Sequence, residues 1–319
     1  MKRLKALCLP MIDLLLVPWI CLAGLLLRNI RRAGIGNLPL CKAGLLRVGV
    51  FPVRNHYYEP RFDYRDFANS TSIDRRLPGI DWNIHDQLRF LAKLNFANEL
   101  GFMEGRDGHA GAFTIDNANF GSGDAEYWYQ VVRFLKPRRI YEIGSGHSTL
   151  VAAKALHVNR SEDDKYQCLH LCVEPFEMPW LERTDASVLR SKVEDLDPSL
   201  FLELRENDVL FIDSSHMIRP AGDVLFEYLE ILPTLAKGVY VHIHDIFSPG
   251  DYPLRWLAGD VRFWNEQYLL EAFLSHNASW EVVGALNLLH HHHYDRLKRV
   301  APFLERSREP GSFYMRRIA

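Results

Sequence analysis

Apolar positions recur along this chain with two different spacings. From Arg139 onward, short β-branched and aromatic runs alternate with stretches of helical spacing. The pattern predicts strands at Arg139–Ile143, 168–174, 209–213, 238–244 and 281–285, a short one near 192–193 and a last one over 312–316. Helices are predicted over 148–157, around 179–189, over 222–235 and over 262–276. Such alternation builds a parallel sheet with helices on both faces. Upstream, Leu88, Leu91, Leu94 and Phe96 predict an amphipathic helix within 82–100, and Asp124–Leu135 predicts another that Pro137 closes. Residues 106–123, rich in Gly, Asn and Asp, read as a loop.

The N-terminus follows another rule. Residues 6–27 are almost wholly apolar, with Lys2, Arg3 and Lys5 before them and Arg28, Arg31 and Arg32 after. That is about the 20 residues a helix needs to cross a bilayer. Asp13 lies inside the run, Pro10 and Pro18 are expected to break it, and basic clusters at both ends give no clear orientation. A hairpin that returns to the same face places both clusters on the cytoplasmic side. Membrane association through residues 6–27 is the expectation, at the inner face of a membrane. A signal peptide and a buried helix pair are the alternatives.

Composition narrows the classes. At 319 residues and 48% hydrophobic, the chain has ample material for a core. A net charge of −2 excludes the global basic field of a nucleic-acid protein. The five cysteines, Cys8, Cys21, Cys41, Cys168 and Cys172, have neither disulfide-scaffold nor zinc-ribbon spacing. The expected divisions are an apolar segment 1–33, an extension or substrate cap 34–123, and a catalytic domain 124–319. The patch His56-Tyr57-Tyr58-Glu59-Pro60 either lines a substrate pocket or packs a linker.

Candidate chemistry gathers at the predicted strand ends, where open parallel sheets bind ligands. Strand 139–143 runs into Gly144-Ser145-Gly146 and then a helix. That turn lets backbone approach a nucleotide-like ligand at a helix N-terminus. Glu142 is expected to face the ligand's positive end, which suits the ammonium and sulfonium of S-adenosylmethionine. A dinucleotide is the competing ligand, but Thr149 stands at the third glycine position and a pyrophosphate disfavours Glu142. A tight turn without ligand also fits. Glu174 can accept two ribose hydroxyls, and Glu194 and Asp195 can reach an adenine amino group. Asp213, His216, His244 and Asp245 should converge across two adjacent strand ends. Carboxylates and imidazole so placed can hold a divalent ion, Mg or Mn, with open positions for two substrate oxygens. With an ordinary pKa near 6.5, His216 is a candidate base. His242 is expected to pack or cap, and the run His290–His293 to form a loop or a polar helix face.

Through Glu142-Ile143-Gly144-Ser145-Gly146, Glu174, Phe211-Ile212-Asp213-Ser214-Ser215-His216 and His244-Asp245-Ile246, the chain resembles the class I S-adenosylmethionine-dependent methyltransferases over roughly residues 124–317. It is most similar to small-molecule O-methyltransferases of the catechol and macrocin type, including enzymes that modify sugar hydroxyls. The resemblance implies a Rossmann-like, seven-stranded, mostly parallel sheet with an N-terminal helical extension. It implies S-adenosylmethionine contacts from Glu142, Gly144, Ser145, Gly146, Glu174 and Asp213, and a metal on Asp213, His244 and Asp245. His216 and Asp213 become the catalytic residues, and the acceptor a small molecule or a glycan, lipid-linked in view of the N-terminus. His147 and Ser148 replace the usual third glycine region, and His244 stands where an acidic ligand is expected, which lowers the negative charge of the site. A metal-dependent oxygenase or hydrolase using His216, His244 and Asp245, and a non-catalytic ligand-binding protein of this fold, are the rival readings.

Overall fold

The computed structural model describes residues 2–54, 58–60, 74–105, 113–176, 178 and 180–319. It divides into two compact units, Met1–Asn69 and Ser70–Ala319. His56 and Tyr57 of the aromatic patch lie outside the described residues.

The first unit holds α1 (Lys2–Ala33) and α2 (Pro39–Val48), which Gly49 closes in the left-handed conformation at φ 77°. Pro10 and Pro18 lie inside α1 and do not break it, so the expected hairpin is replaced by one continuous helix. Each proline removes one N–H from the ladder, a local loss that an otherwise regular apolar helix absorbs. Leu9–Ala33 is long and apolar enough to cross a membrane, and none of its most apolar window is buried. Length and composition alone admit a signal sequence as well.

The second unit begins with α3 (Ile84–Leu91) and continues through α4 (Asp124–Leu135), β1 (Arg139–Ile143), α5 (His147–Glu162), β2 (Leu169–Val173), β3 (Ser187–Leu189), β4 (Val209–Ile212), α6 (Asp223–Phe226), β5 (Tyr240–Ile243), α7 (Glu266–Leu274), β6 (Trp280–Ala285), α8 (Leu286–Val300) and β7 (Phe313–Arg317). Its seven strands are ordered β3-β2-β1-β4-β5-β7-β6, with β7 antiparallel to both neighbours. This is a Rossmann-like, mostly parallel sheet with helices on both faces. Side-chain alternation explains the layering. On β4, Val209 and Phe211 enter a core with α4, α5 and α8, while Leu210 and Ile212 enter the opposite core with α6 and α7. Asp208 ties strand starts together: its carboxylate accepts the N–H groups of Arg138, Arg139 and Arg205 at 3.0, 2.8 and 2.9 Å.

Several boundaries differ from the pattern's prediction. The helix expected around 179–189 is a single 3₁₀ turn, Leu181–Arg183, followed by β3; Pro179 lies outside the described residues. Thr184 ends the turn by donating to the Leu181 carbonyl and accepting the Ala186 N–H. The strand expected near 192–193 is a 3₁₀ turn, Val193–Asp195. The 82–100 helix stops at Leu91, and the backbone N–H of Phe96 is drawn to the Gln130 side chain. Three of the four histidines fall on the first part of α8, where His290 is buried, His291 meets Glu309 and His292 meets Asp74, and His293, at φ −138°, kinks the helix.

Candidate active site

The Gly144 turn is fixed by a close approach of backbone to backbone. Gly144 has φ 77°, and a Cβ there would lie 1.9 Å from the Asp213 carbonyl oxygen. The Gly144 N–H donates to Val173 and the Asp213 N–H to Ile143. The tips of β1, β2 and β4 are thereby locked side by side. Gly146 is less constrained, since a Cβ would meet only the Met178 side chain at 3.7 Å.

A cavity of about 560 Å³ opens over these tips, lined among others by Gly144, Glu174, Glu194, Asp213 and Ser214. That size suits a nucleotide-like ligand. Glu174 projects into it, its carboxylate accepting the N–H groups of Ser145 (3.1 Å) and Phe176 (2.8 Å). The Ser145 hydroxyl is buried without a hydrogen-bond partner among the described residues. An orphaned donor beside a held carboxylate fits a polar ligand, and a buried hydroxyl of this kind is costly without one. Glu194 lines the cavity, whereas Asp195 is not part of its wall.

Glu142 is placed differently from expectation. It is fully buried on the α5 side of β1 and does not line the cavity. Its carboxylate accepts hydrogen bonds from the Ser148 (3.0 Å) and Thr149 (2.7 Å) hydroxyls and lies 2.6 Å from His170 Nε2. Burial pushes the His170 pKa down, but the Glu142 charge overrides it and raises the value to about 10. Glu142 anchors the helix that follows the glycine turn instead of facing a ligand.

Asp213, His216, His244 and Asp245 do converge. His216 Nε2 is 3.2 Å from Asp213 and 3.6 Å from Asp245; His244 Nδ1 is 3.5 Å from each of the two carboxylates. His216 and Asp245 both adopt φ 58°, a left-handed conformation uncommon outside glycine. Among the described residues, Asp213, His216 and Asp245 form a three-ligand grouping, with His216 where His244 was expected. His242 is a packed histidine, stacked on Tyr314 and 2.9 Å from the Ser312 hydroxyl.

His216 departs from the free-base expectation. Burial alone would lower its pKa, but Asp213, Glu266 and Asp245 raise it well above the ordinary value. Both ring nitrogens are engaged, Nδ1 by Glu266 at 2.7 Å. Burial likewise opposes ionisation of Asp213, yet His244 and His216 hold its pKa far below the usual carboxylate range. Burial raises the Asp245 pKa above its ordinary value, against the opposing pull of His244 and His216.

Sequence reasoning missed three partners. Glu266, wholly buried, orients His216 and accepts from the Tyr228 hydroxyl. Asp124 accepts the Gly311 and Ser312 N–H groups and stands 3.9 Å from His244. Trp264 lies 4.3 Å from the His216 ring. The one legible signal was acidic: Asp124 and Glu266 each open a helix.

A family described as a methyltransferase domain matches residues 141–246, the span from the middle of β1 to just beyond β5. An uncharacterised protein of Archaeoglobus fulgidus is 28% identical over 172 residues, covering 50% of this chain and 75% of the relative. Among solved structures, an O-methyltransferase from Bacillus cereus in complex with SAH is 12% identical, covers 73% of this chain and 91% of its own, and gives a TM-score of 0.37. A cmcI structure with Mg and SAM is 16% identical, with coverages of 62% and 72% and a TM-score of 0.33. The family match, the strand order and the Gly144 turn together support an S-adenosylmethionine-dependent methyltransferase.

Proposed function

We propose that this protein transfers a methyl group from S-adenosylmethionine to a hydroxyl oxygen of a small or lipid-linked saccharide acceptor. The observation that carries the reading is the cavity over the β1, β2 and β4 tips, whose wall brings together Gly144, Glu174, Glu194 and Asp213. Glu174 would take the ribose hydroxyls and Ser145 the polar end of the methionine moiety. S-adenosylmethionine supplies an electrophilic methyl on a sulfonium. The chain's part is positioning and charge arrangement.

The residues present also fit a divalent ion. His244 Nδ1 is buried without a hydrogen-bond partner among the described residues, and it faces two carboxylates. Asp213, Asp245 and His244 would hold such an ion, which would lower the pKa of a hydroxyl brought to it. Glu266 fixes His216 through Nδ1, so Nε2 is the atom that holds or releases a proton beside Asp213.

The N-terminal helix supports an acceptor that resides in or on a membrane. The test is methyl-labelled S-adenosylmethionine incubated with the full chain and a glycolipid extract. Label in a base-stable methyl ether, lost in Asp213→Asn, is the expected result. Label in a base-labile ester, or none at all, contradicts hydroxyl methylation.

A further inference from the structure

A partly exposed aromatic corner adjoins the catalytic histidine. After β5 the chain passes through a π-helical turn, Arg255–Gly259, and reaches α7 by a short non-helical stretch. That stretch docks on the loop carrying His216. The Asn265 N–H donates to the His216 carbonyl at 3.0 Å, and the Asn265 side-chain oxygen accepts the Ile218 N–H at 2.7 Å. Docking brings Trp264 against His216. Trp256 stands 5.1 Å from Trp264, with the two ring planes at 76°. In the angle between them lies the Arg262 guanidinium, 4.5 and 4.3 Å from the two ring centroids. Val261, just before it, is a β-branched residue at φ 54°, a conformation that persists only where its surroundings impose it.

A guanidinium wedged between two indoles is already ordered, so little freedom is lost when it binds. Arg262 remains 34% exposed, and Asp260, 3.6 Å away, is 42% exposed. Water screens that pair, and it competes weakly with an incoming anion. The fork of N–H donors matches a carboxylate or a phosphate. The indoles supply an apolar wall of ring dimensions. Next to His216, Asp213 and Asp245 offer carboxylate oxygens that accept hydroxyl protons. A polyhydroxylated ring with one anionic substituent answers both halves.

We propose that the Trp256–Arg262–Trp264 corner is the acceptor site, and that the acceptor is a saccharide bearing an oxyanion, which Arg262 binds while Trp264 sets the ring beside Asp213 and His216. The proposal rests on the methyltransferase reading and names the acceptor class for it.

The test is tryptophan emission of the full chain titrated with glucose 1-phosphate, glucuronate and glucose, with calorimetry of S-adenosylmethionine on the same preparations. Saturable responses to either anionic sugar, at roughly ten-fold lower concentration than glucose, are expected. Response to one alone identifies the oxyanion as phosphate or carboxylate. Arg262→Met should abolish the preference and leave S-adenosylmethionine affinity within about two-fold. Equal responses to glucose and the anionic sugars, no response to any of them, or a preference that survives Arg262→Met overturns the proposal. Anion preference in a protein that fails to bind S-adenosylmethionine upholds the corner and contradicts the methyltransferase reading instead.

Discussion

At the scale of single residues, the site is governed by where buried charges find their opposites. Glu142 is removed from water and rests on His170, Ser148 and Thr149. Removing one partner of such a pair costs about 3–5 kcal/mol. The sign of its pH dependence follows from His170. Its pKa is about 10 in the folded chain and near 6.5 when unfolded. Below pH ~6.5 both states hold the proton and the pair's contribution is complete; it is lost as pH rises through ~10. Urea denaturation should therefore show a stability gap between the protein and His170→Gln that narrows from pH ~6.5 to pH ~10. A gap that stays constant or widens would contradict the pairing. Gly144, Glu174 and Asp213 were legible in the sequence because strand-end residues follow directly from local pattern. Glu266 was not: its bond to His216 joins positions 50 apart, and no local spacing encodes it. The buried orientation of Glu142 was illegible for the same reason, since His170 reaches it from the neighbouring strand.

At the scale of elements, strands were easier to read than helices. Val209–Ile212 and, after Arg139, the rest of Arg139–Ile143 are continuous buried runs, and a strand between two helical layers is mostly apolar on both faces. Ser187–Leu189 was misread because three residues carry too little periodicity to be told from a helix end. Helix α8 stays open in the sequence between a loop and a polar helix face because its first turn is apolar and its second is the histidine run, so no amphipathic stripe announces it. Registration of β1 beside β4 depends on Asp208, which satisfies three backbone donors at the start of the sheet. Asp208→Ala leaves those groups to compete for water in a half-buried corner. A loss of about 2–4 kcal/mol is expected, read as a lower urea midpoint with an unchanged denaturant slope. A loss below ~0.5 kcal/mol would show that the tie does not hold the strands.

At the scale of the whole molecule, the chain joins a domain with a closed, two-sided core to a unit whose large apolar side chains are bare. Leu14, Leu15, Trp19, Ile20 and Leu22 of α1 and Leu40 and Val48 of α2 are all exposed. Patches of that extent mark a membrane or a partner. The basic residues Arg28 and Arg32 lie near the end of α1, and Lys42 and Arg47 lie on α2, where an anionic lipid surface would attract them; Arg31 is instead paired with Glu59. The full chain should float with vesicles of phosphatidylglycerol and phosphatidylethanolamine, and a chain lacking residues 1–48 should not. Full-length protein that remains monodisperse without detergent and ignores the vesicles would contradict membrane association.

The central claim is that the tips of β1, β2 and β4 form an S-adenosylmethionine site. Calorimetric titration of the full chain in detergent, beside Glu174→Ala, tests it most directly. Micromolar binding, weakened at least about ten-fold in the variant, is the predicted result, because a carboxylate that accepts ribose hydroxyls is worth about 1.5–3 kcal/mol. A folded protein with no affinity, or affinity that Glu174→Ala leaves unchanged, would contradict the account and leave the Asp213–His216–Asp245 cluster to be explained by other chemistry.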